Sequence, residues 1–338
     1  MNLYGLTKEE MREYFLSIGS KKFHADQLFE WVYQKKITSL DEVTNIKHEL
    51  LEKVKEDIDQ KKLTIALKQV DVDVEKYLFE LNDKEHIEAV LMKHEYGNSI
   101  CISSQVGCNM GCEFCESGKY KKIRNLEVHE MVLQVLQVEE SLEKRISHVV
   151  IMGIGEPFDN YENIIKFFQI INDPKGLQIG SRHITVSTCG IIPKIEEFSD
   201  FSLQVNLAIS LHAPNNIIRN KLMPINKVYP LEKLIPCLKE YIKKTGRRIT
   251  FEYILLDGIN DSEENAHELA KLVSGMNCYI NLIPYNETST VEFRRSKPFH
   301  ISKFYDILKK NKIEVTIRRE FGTKIEAACG QLRSKKEA

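Results

Sequence analysis

The hydrophobic pattern of the chain changes twice along its length. Residues 1 to about 60 are polar and helical in pattern: Thr7 with Glu10 fits a capping box opening a first helix, and Phe23–Tyr33 carries Phe29, Trp31 and Val32 on a second. A third helix is predicted over roughly 47–57. From about residue 64 short strand-like runs take over, at Thr64–Val70, Lys76–Leu81 and Ile87–Met92, separated by turns of Asp, Asn and Lys. After Cys101 the order becomes strand, loop, helix, and it repeats. Strands are predicted at Ser99–Ser104, His148–Met152, His183–Ser187, Val205–Ser210, Ile249–Leu255, Tyr279–Ile283 and Glu314–Ile317. Amphipathic helices near 127–143, 160–171, 231–244, 262–274 and 302–310 lie between them.

Repeated strand–helix units predict an α/β fold around a parallel sheet, either open or closed into a partial or near-complete barrel. The pattern divides into a small helical N-terminal domain over 1–62, a short β extension over 63–93 and a core over 94–338. A chain of 338 residues is long enough for one barrel-type domain with such an appendage. With 48 basic and 49 acidic side chains there is no global attraction to nucleic acid, so any such contact must come from local basic patches. No apolar run approaches the roughly 18 residues of a membrane span and no leader pattern is visible, which points to a cytoplasmic protein without membrane contact. The eight cysteines are then expected mostly as reduced thiols.

Three of those cysteines carry the strongest chemical signal. Cys108, Cys112 and Cys115 have the spacing C-x3-C-x2-C. Three thiolates without a nearby fourth suit a four-iron, four-sulfur (4Fe-4S) cluster with one iron left open to a substrate or cofactor, whereas electron-transfer clusters and structural zinc sites are usually closed by four ligands. The same residues also fit a zinc knuckle completed by His94 or His129, or three unrelated thiols. Other unusual residues fall in register with them. Gly153-Ile154-Gly155-Glu156-Pro157 follows the second strand of the repeat, Ser187-Thr188 ends the third, Ser210-Leu211-His212 the fourth, and Pro284-Tyr285-Asn286 the sixth. Each alone fits a turn or a polar pair. Together they occupy the C-terminal ends of the strands, where barrel enzymes place their active sites.

The run Cys108-Asn109-Met110-Gly111-Cys112-Glu113-Phe114-Cys115 resembles the cluster loop of radical S-adenosylmethionine enzymes. The segments His94–Ser99, Val150–Pro157, Ile209–Pro214, Leu222–Asn226 and Ala327-Ala328-Cys329-Gly330-Gln331-Leu332 narrow the resemblance to the RlmN/Cfr family of RNA methyltransferases, over nearly the whole chain. The segment Asn281–Asn286 looks more like the members that modify carbon 2 of adenine than like those that modify carbon 8.

The resemblance implies a radical S-adenosylmethionine barrel with one 4Fe-4S cluster on Cys108, Cys112 and Cys115, and two molecules of S-adenosylmethionine per turnover. One molecule methylates Cys329; the other is cleaved to a 5′-deoxyadenosyl radical that takes hydrogen from that methyl, and the methylene radical then adds to adenine. Cys101 is implied as the resolving thiol, leaving a transient disulfide with Cys329, and Glu88 as the proton acceptor. Without the resemblance, Cys101 reads as a small core residue and Glu88 as an exposed strand carboxylate. Gly155, Glu156, Ser187, Ser210, Leu211, His212 and Asn286 are the implied contacts to S-adenosylmethionine, while Cys189, Cys237 and Cys278 match no motif position and read as small apolar residues. Implied partners are 23S ribosomal RNA, transfer RNA and an electron donor such as flavodoxin or ferredoxin. Carbon-8 methylation and a non-enzymatic iron–sulfur or zinc module are the other readings open to the residues. Candidate RNA contacts are the basic clusters Lys119–Arg124, Lys243-Lys244 with Arg247-Arg248, Arg294-Arg295 with Lys297, and Arg318-Arg319. The chain departs from the family pattern at Glu116, where a small residue is usual and whose carboxylate is expected either to act on the cluster or to face solvent, and in the segment Glu287–Pro298.

Overall fold

The computed structural model of the chain describes residues 1–142, 144–287, 292–318, 325–327 and 330–332. Three helices open it: α1 (Lys8–Ser17), α2 (Lys22–Tyr33) and α3 (His48–Asp57). The capping box forms as expected, with the Glu10 N–H donated to Thr7 Oγ1 and the Thr7 N–H to the Glu10 carboxylate. An antiparallel meander follows, β1 (Thr64–Asp71), β2 (Val74–Glu80), β3 (His86–His94) and β4 (Gly97–Ile102). A two-stranded hairpin of β5 (Gln105–Val106) and β6 (Arg124–Asn125) brackets the cysteine loop. The repeat then runs α4 (Val128–Glu140), β7 (Ile146–Ile151), α5 (Tyr161–Asn172), β8 (Ile184–Thr188), α6 (Ile192–Phe198), β9 (Asn206–Ser210), α7 (Asn216–Leu222), α8 (Leu231–Thr245), β10 (Ile249–Leu255), α9 (Glu263–Leu272), β11 (Cys278–Pro284), α10 (Pro298–Lys310) and β12 (Val315–Ile317).

Ten strands form one sheet in the order β1-β2-β3-β4-β7-β8-β9-β10-β11-β12, parallel from β4 onward. β3, not β12, is the other neighbour of β4, so the barrel is partial. The strands of the parallel half are buried on both faces, which is why they read as near-continuous apolar runs. One apolar core runs from Leu3 and Phe15 through Phe79, Leu91 and Ile100 to Ile280 and Phe304, so the helical segment packs on the outer side of the sheet. Gly5 fits against His129 of α4, where a Cβ would come within 3.0 Å of the backbone.

Several elements depart from the sequence reading. The seven-residue helices α6 and α7 are too short to show a full amphipathic period, and β5 and β6 have two residues each. α10 begins at Pro298 rather than near 302, because proline at the first helical position is pre-set for the helix rather than a break in it.

Candidate active site

The parallel order β4, β7, β8, β9, β10, β11 gathers the C-terminal ends of the strands around one pocket. Cys108, Cys112 and Cys115 line it from the loop after β4, Gly155 and Glu156 from the loop after β7, Ser187 from β8, and Ser210 and His212 from the end of β9. Eight of the sequence-predicted residues therefore meet. Leu211 is fully buried behind the pocket, its N–H donated to the Glu252 carbonyl at 3.1 Å. Asn286 is buried but does not line the pocket, and its Oδ1 has no hydrogen-bond partner among the described residues.

The loop geometry is dictated locally. Gly155 has φ +108°, and a Cβ there would lie 2.6 Å from the Gln105 side chain; only glycine fits. Glu156 is buried, with Oε1 accepting from the Phe158 N–H at 3.0 Å and Oε2 from the Cys189 N–H at 2.8 Å. Burial pushes its carboxyl upward against those bonds. The Ser187 and Ser210 hydroxyls stand 3.3 Å apart across β8 and β9. His212 takes a left-handed conformation, φ +56°, that turns its ring inward, where Nδ1 accepts the Ile254 N–H at 3.0 Å.

Three observations test whether these residues suit a cluster and its cofactor. Burial pushes the Cys108 thiol up to about 12 and that of Cys112 well above its ordinary value, so thiolates persist there only with a bound cation. Among the described residues no three thiols lie within 4.8 Å of one another, too wide a spread for one tetrahedral zinc at about 2.3 Å per sulfur. Neither His94 nor His129 lines the pocket: His94 stacks on Tyr96 and His129 pairs with Glu127. The residues fit the group.

Beside this pocket the register of β2, β3 and β4 sets a second group of residues on one face of the sheet. Leu78 pairs with Glu88, Lys76 with Val90, and Val90 with Cys101, so Lys76, Glu88, Val90 and Cys101 all point to the same side. The bare sequence suggested an exposed Glu88. It is 3 % exposed and lies 3.4 Å from the Lys76 ammonium, a partner two residues out of register on the next strand. Cys101 is buried, packed with Val74, Val90, Ile154, Ala327 and Leu332. Cys329 lies outside the described residues, but the segments on both sides of it are described. Ala327 and Leu332 join the Cys101 cluster, Lys76 donates to the Glu326 carbonyl at 3.4 Å, and Gly330 lines the pocket of the three cysteines.

Other residues differ from the sequence reading. Cys189 is buried in an apolar cluster, as its reading as a small apolar residue expects, but it also lines the pocket, with its sulfur 3.4 Å from the Met110 thioether. Its position directly after the Ser187-Thr188 strand end was the available signal. Glu116 is 2 % exposed, which removes the solvent-facing alternative. Glu252 and Arg318, 3.9 Å apart, also line the pocket and follow no motif. Much of the basic surface is already paired: Lys122 with Asp159, Arg124 with Glu130 and Asp83, Lys244 with Asp200, Arg248 with Glu314. Arg319 and residues 288–291 lie outside the described residues. No helix among the described residues is long and apolar enough to cross a membrane.

Comparison with known proteins agrees with this arrangement. The Radical SAM superfamily profile matches residues 102–270, and the profile of the ribosomal RNA large subunit methyltransferase N-terminal domain matches residues 1–59. The chain is 53 % identical to the "Probable dual-specificity RNA methyltransferase RlmN" of Spiroplasma citri, over 99 % of this chain and 98 % of that protein. It is 52 % identical to the protein of the same description from Enterococcus faecalis, over 99 % and 96 %. The crystal structure of a radical SAM methyltransferase from Sphaerobacter thermophilus superposes with a TM-score of 0.95 at 39 % identity, over 99 % of this chain and all of that one. With full-length identity above half and the cysteine pocket in place, the chain belongs to the RlmN family of radical S-adenosylmethionine RNA methyltransferases.

Proposed function

We propose that this protein methylates carbon 2 of adenine in 23S ribosomal RNA and in transfer RNA, with the methyl carried on Cys329. The observation that carries the reading is the packing of the two segments flanking residue 329: Ala327 and Leu332 both join the Cys101 cluster, and Gly330 lines the cysteine pocket. A thiol held between a resolving thiol and a radical source is what methyl relay through cysteine requires.

Carbon 2 of adenine has no lone pair to attack a sulfonium methyl, so the transfer needs a carbon radical. Held by Cys108, Cys112 and Cys115, with Gly155, Glu156, Ser187, Ser210, Leu211, His212 and Asn286 around the cofactor, a 4Fe-4S cluster and S-adenosylmethionine would supply one electron and that radical. The rest belongs to the chain. Cys329, as a thiolate, takes the methyl of one S-adenosylmethionine and presents it to the pocket, so two molecules are used per turnover. Glu88 accepts the carbon-2 proton once the carbon–carbon bond has formed, with the Lys76 ammonium 3.4 Å from its carboxyl. The unpaired electron left on the adduct by radical addition must pass to a one-electron acceptor, for which an oxidised cluster at the three cysteines would serve. The Cys101 thiolate then attacks the Cys329 sulfur; a sulfur–sulfur bond forms as the carbon–sulfur bond breaks, the released carbon takes a proton to complete the methyl group, and the methylated base leaves. An external thiol must reduce the disulfide, and a one-electron donor of the flavodoxin or ferredoxin class must charge the cluster.

The resolving step offers the test. Cys101→Ala protein incubated anaerobically with RNA substrate, S-adenosylmethionine and reductant should retain RNA through a bond that survives denaturing electrophoresis. Free turnover by that variant would contradict the role of Cys101.

A further inference from the structure

Arg219, on α7, is fully buried, and among the described residues its guanidinium donates only to uncharged acceptors. Nε donates to the Leu211 carbonyl at 3.1 Å, Nη1 to Asn226 Oδ1 at 2.8 Å, and Nη2 to the carbonyls of Cys189 at 2.7 Å and Ser210 at 3.2 Å. Among the described residues the negative charges that would act on it are those Cys189 and Cys112 would carry if ionised. Burial brings the guanidinium down to about 10, which still leaves it charged near neutral pH. A buried cation without a carboxylate is unfavourable unless something else balances it. Cys189, Ser210 and Cys112 all line the cysteine pocket, whereas Arg219 stands behind it and no step of the proposed reaction touches it.

A cluster on three thiolates is anionic and gains one more negative charge on reduction, and net charge and hydrogen bonding around a cluster set its potential. A fixed positive charge in a region of low dielectric favours the reduced form. Four hydrogen bonds in fork geometry hold that charge in one place and tie together the ends of β8 and β9, which a lysine ammonium would do less rigidly.

We infer that Arg219 is the built-in counter-charge of this site, a positioning residue that fixes the strand ends at Cys189 and Ser210 and raises the midpoint potential of a cluster held by Cys108, Cys112 and Cys115. The inference rests on the reading of those three cysteines as cluster ligands.

The test is a potentiometric titration of the reconstituted holoenzyme, followed by electron paramagnetic resonance with a low-potential one-electron reductant. It compares wild type with Arg219→Lys, Arg219→Gln and Asn226→Asp, the last placing a carboxylate where Nη1 now donates to a neutral amide. Arg219→Lys should keep a midpoint close to wild type, while Arg219→Gln and Asn226→Asp should both move it negative. If Arg219→Gln does not fold, Asn226→Asp gives the same reading with the guanidinium retained. Unchanged midpoints in the neutralised variants would overturn the role of Arg219, and so would Arg219→Lys shifting as far as Arg219→Gln. Wild-type protein that takes up no four-iron cluster would instead overturn the reading of the cysteines.

Discussion

The N–H of Glu116, the residue after the third cysteine of the loop, donates to the carbonyl of Gly330, the residue after Cys329, at 2.9 Å. Next to it Ser117 Oγ donates to the Leu332 carbonyl at 2.6 Å. Two hydrogen bonds to backbone carbonyls thus fix the segment after Cys329 against the cysteine loop. Glu116→Pro removes one donor at a position where the preceding residue already has extended geometry, φ −111° and ψ 127°. Methyl transfer should fall about 10- to 100-fold, the loss expected when a reacting group shifts by about an ångström, with 5′-deoxyadenosine still formed. Tight coupling in the variant would contradict this use of the bond.

The four thiols of the pocket should separate cleanly. Replacing Cys108, Cys112 or Cys115 with Ala should each abolish retention of iron and sulfide. Cys189 acts through its backbone, which donates to Glu156 and accepts from Arg219, so Cys189→Ser should retain the metal and keep activity within about 2-fold. Colorimetric iron and sulfide analysis of the reconstituted proteins decides it.

Glu88→Gln keeps the shape of the side chain and removes the base. Turnover should drop by about 10²-fold or more, as general-base removal does. The variant also leaves Lys76 buried without its ion pair, so a melting-temperature decrease is expected, on the order of 1–3 kcal/mol of stability. Single-turnover assays paired with thermal unfolding separate the two effects, and full activity at reduced stability would remove Glu88 from the chemistry.

Burial first, and the Arg219 charge second, push His212 down from 6.5 to about 3. Its neutral ring is therefore the folded form, and the stability it contributes is complete above about pH 6.5 and is lost as pH falls toward 3. The cost is about 1.4 kcal/mol for each pH unit over that window. His212→Asn tolerates the left-handed backbone and can still accept the Ile254 N–H. Melting temperature measured from pH 7 to pH 4 should fall more steeply for wild type than for the variant; parallel curves would show that His212 does not titrate in this way.

Long buried elements were legible in the sequence because their periodicity is sustained. Ile249–Leu255 was read to the residue, being apolar on both faces and bounded by polar turns. The gathering of strand-end residues around one pocket was legible for the same reason. Burial of Glu88 was not, because it depends on Lys76 across β2 and on the segment around Glu326 more than 200 residues away. Cys189 escaped because a single cysteine beside a glycine looks like a small core residue until Met110 and Glu156 are brought against it. Arg219 offered no signal at all: its partners are backbone carbonyls and one amide, which leave no mark in a sequence.

Reconstituted enzyme incubated anaerobically with 23S ribosomal RNA or transfer RNA, S-adenosylmethionine and a reductant, followed by mass spectrometry of the digested nucleosides, tests the central claim most directly. The account predicts 2-methyladenosine from both RNAs, absent with Cys329→Ala. 8-Methyladenosine would contradict the carbon-2 assignment, and 2-methyladenosine formed by the Cys329→Ala variant would contradict transfer through cysteine.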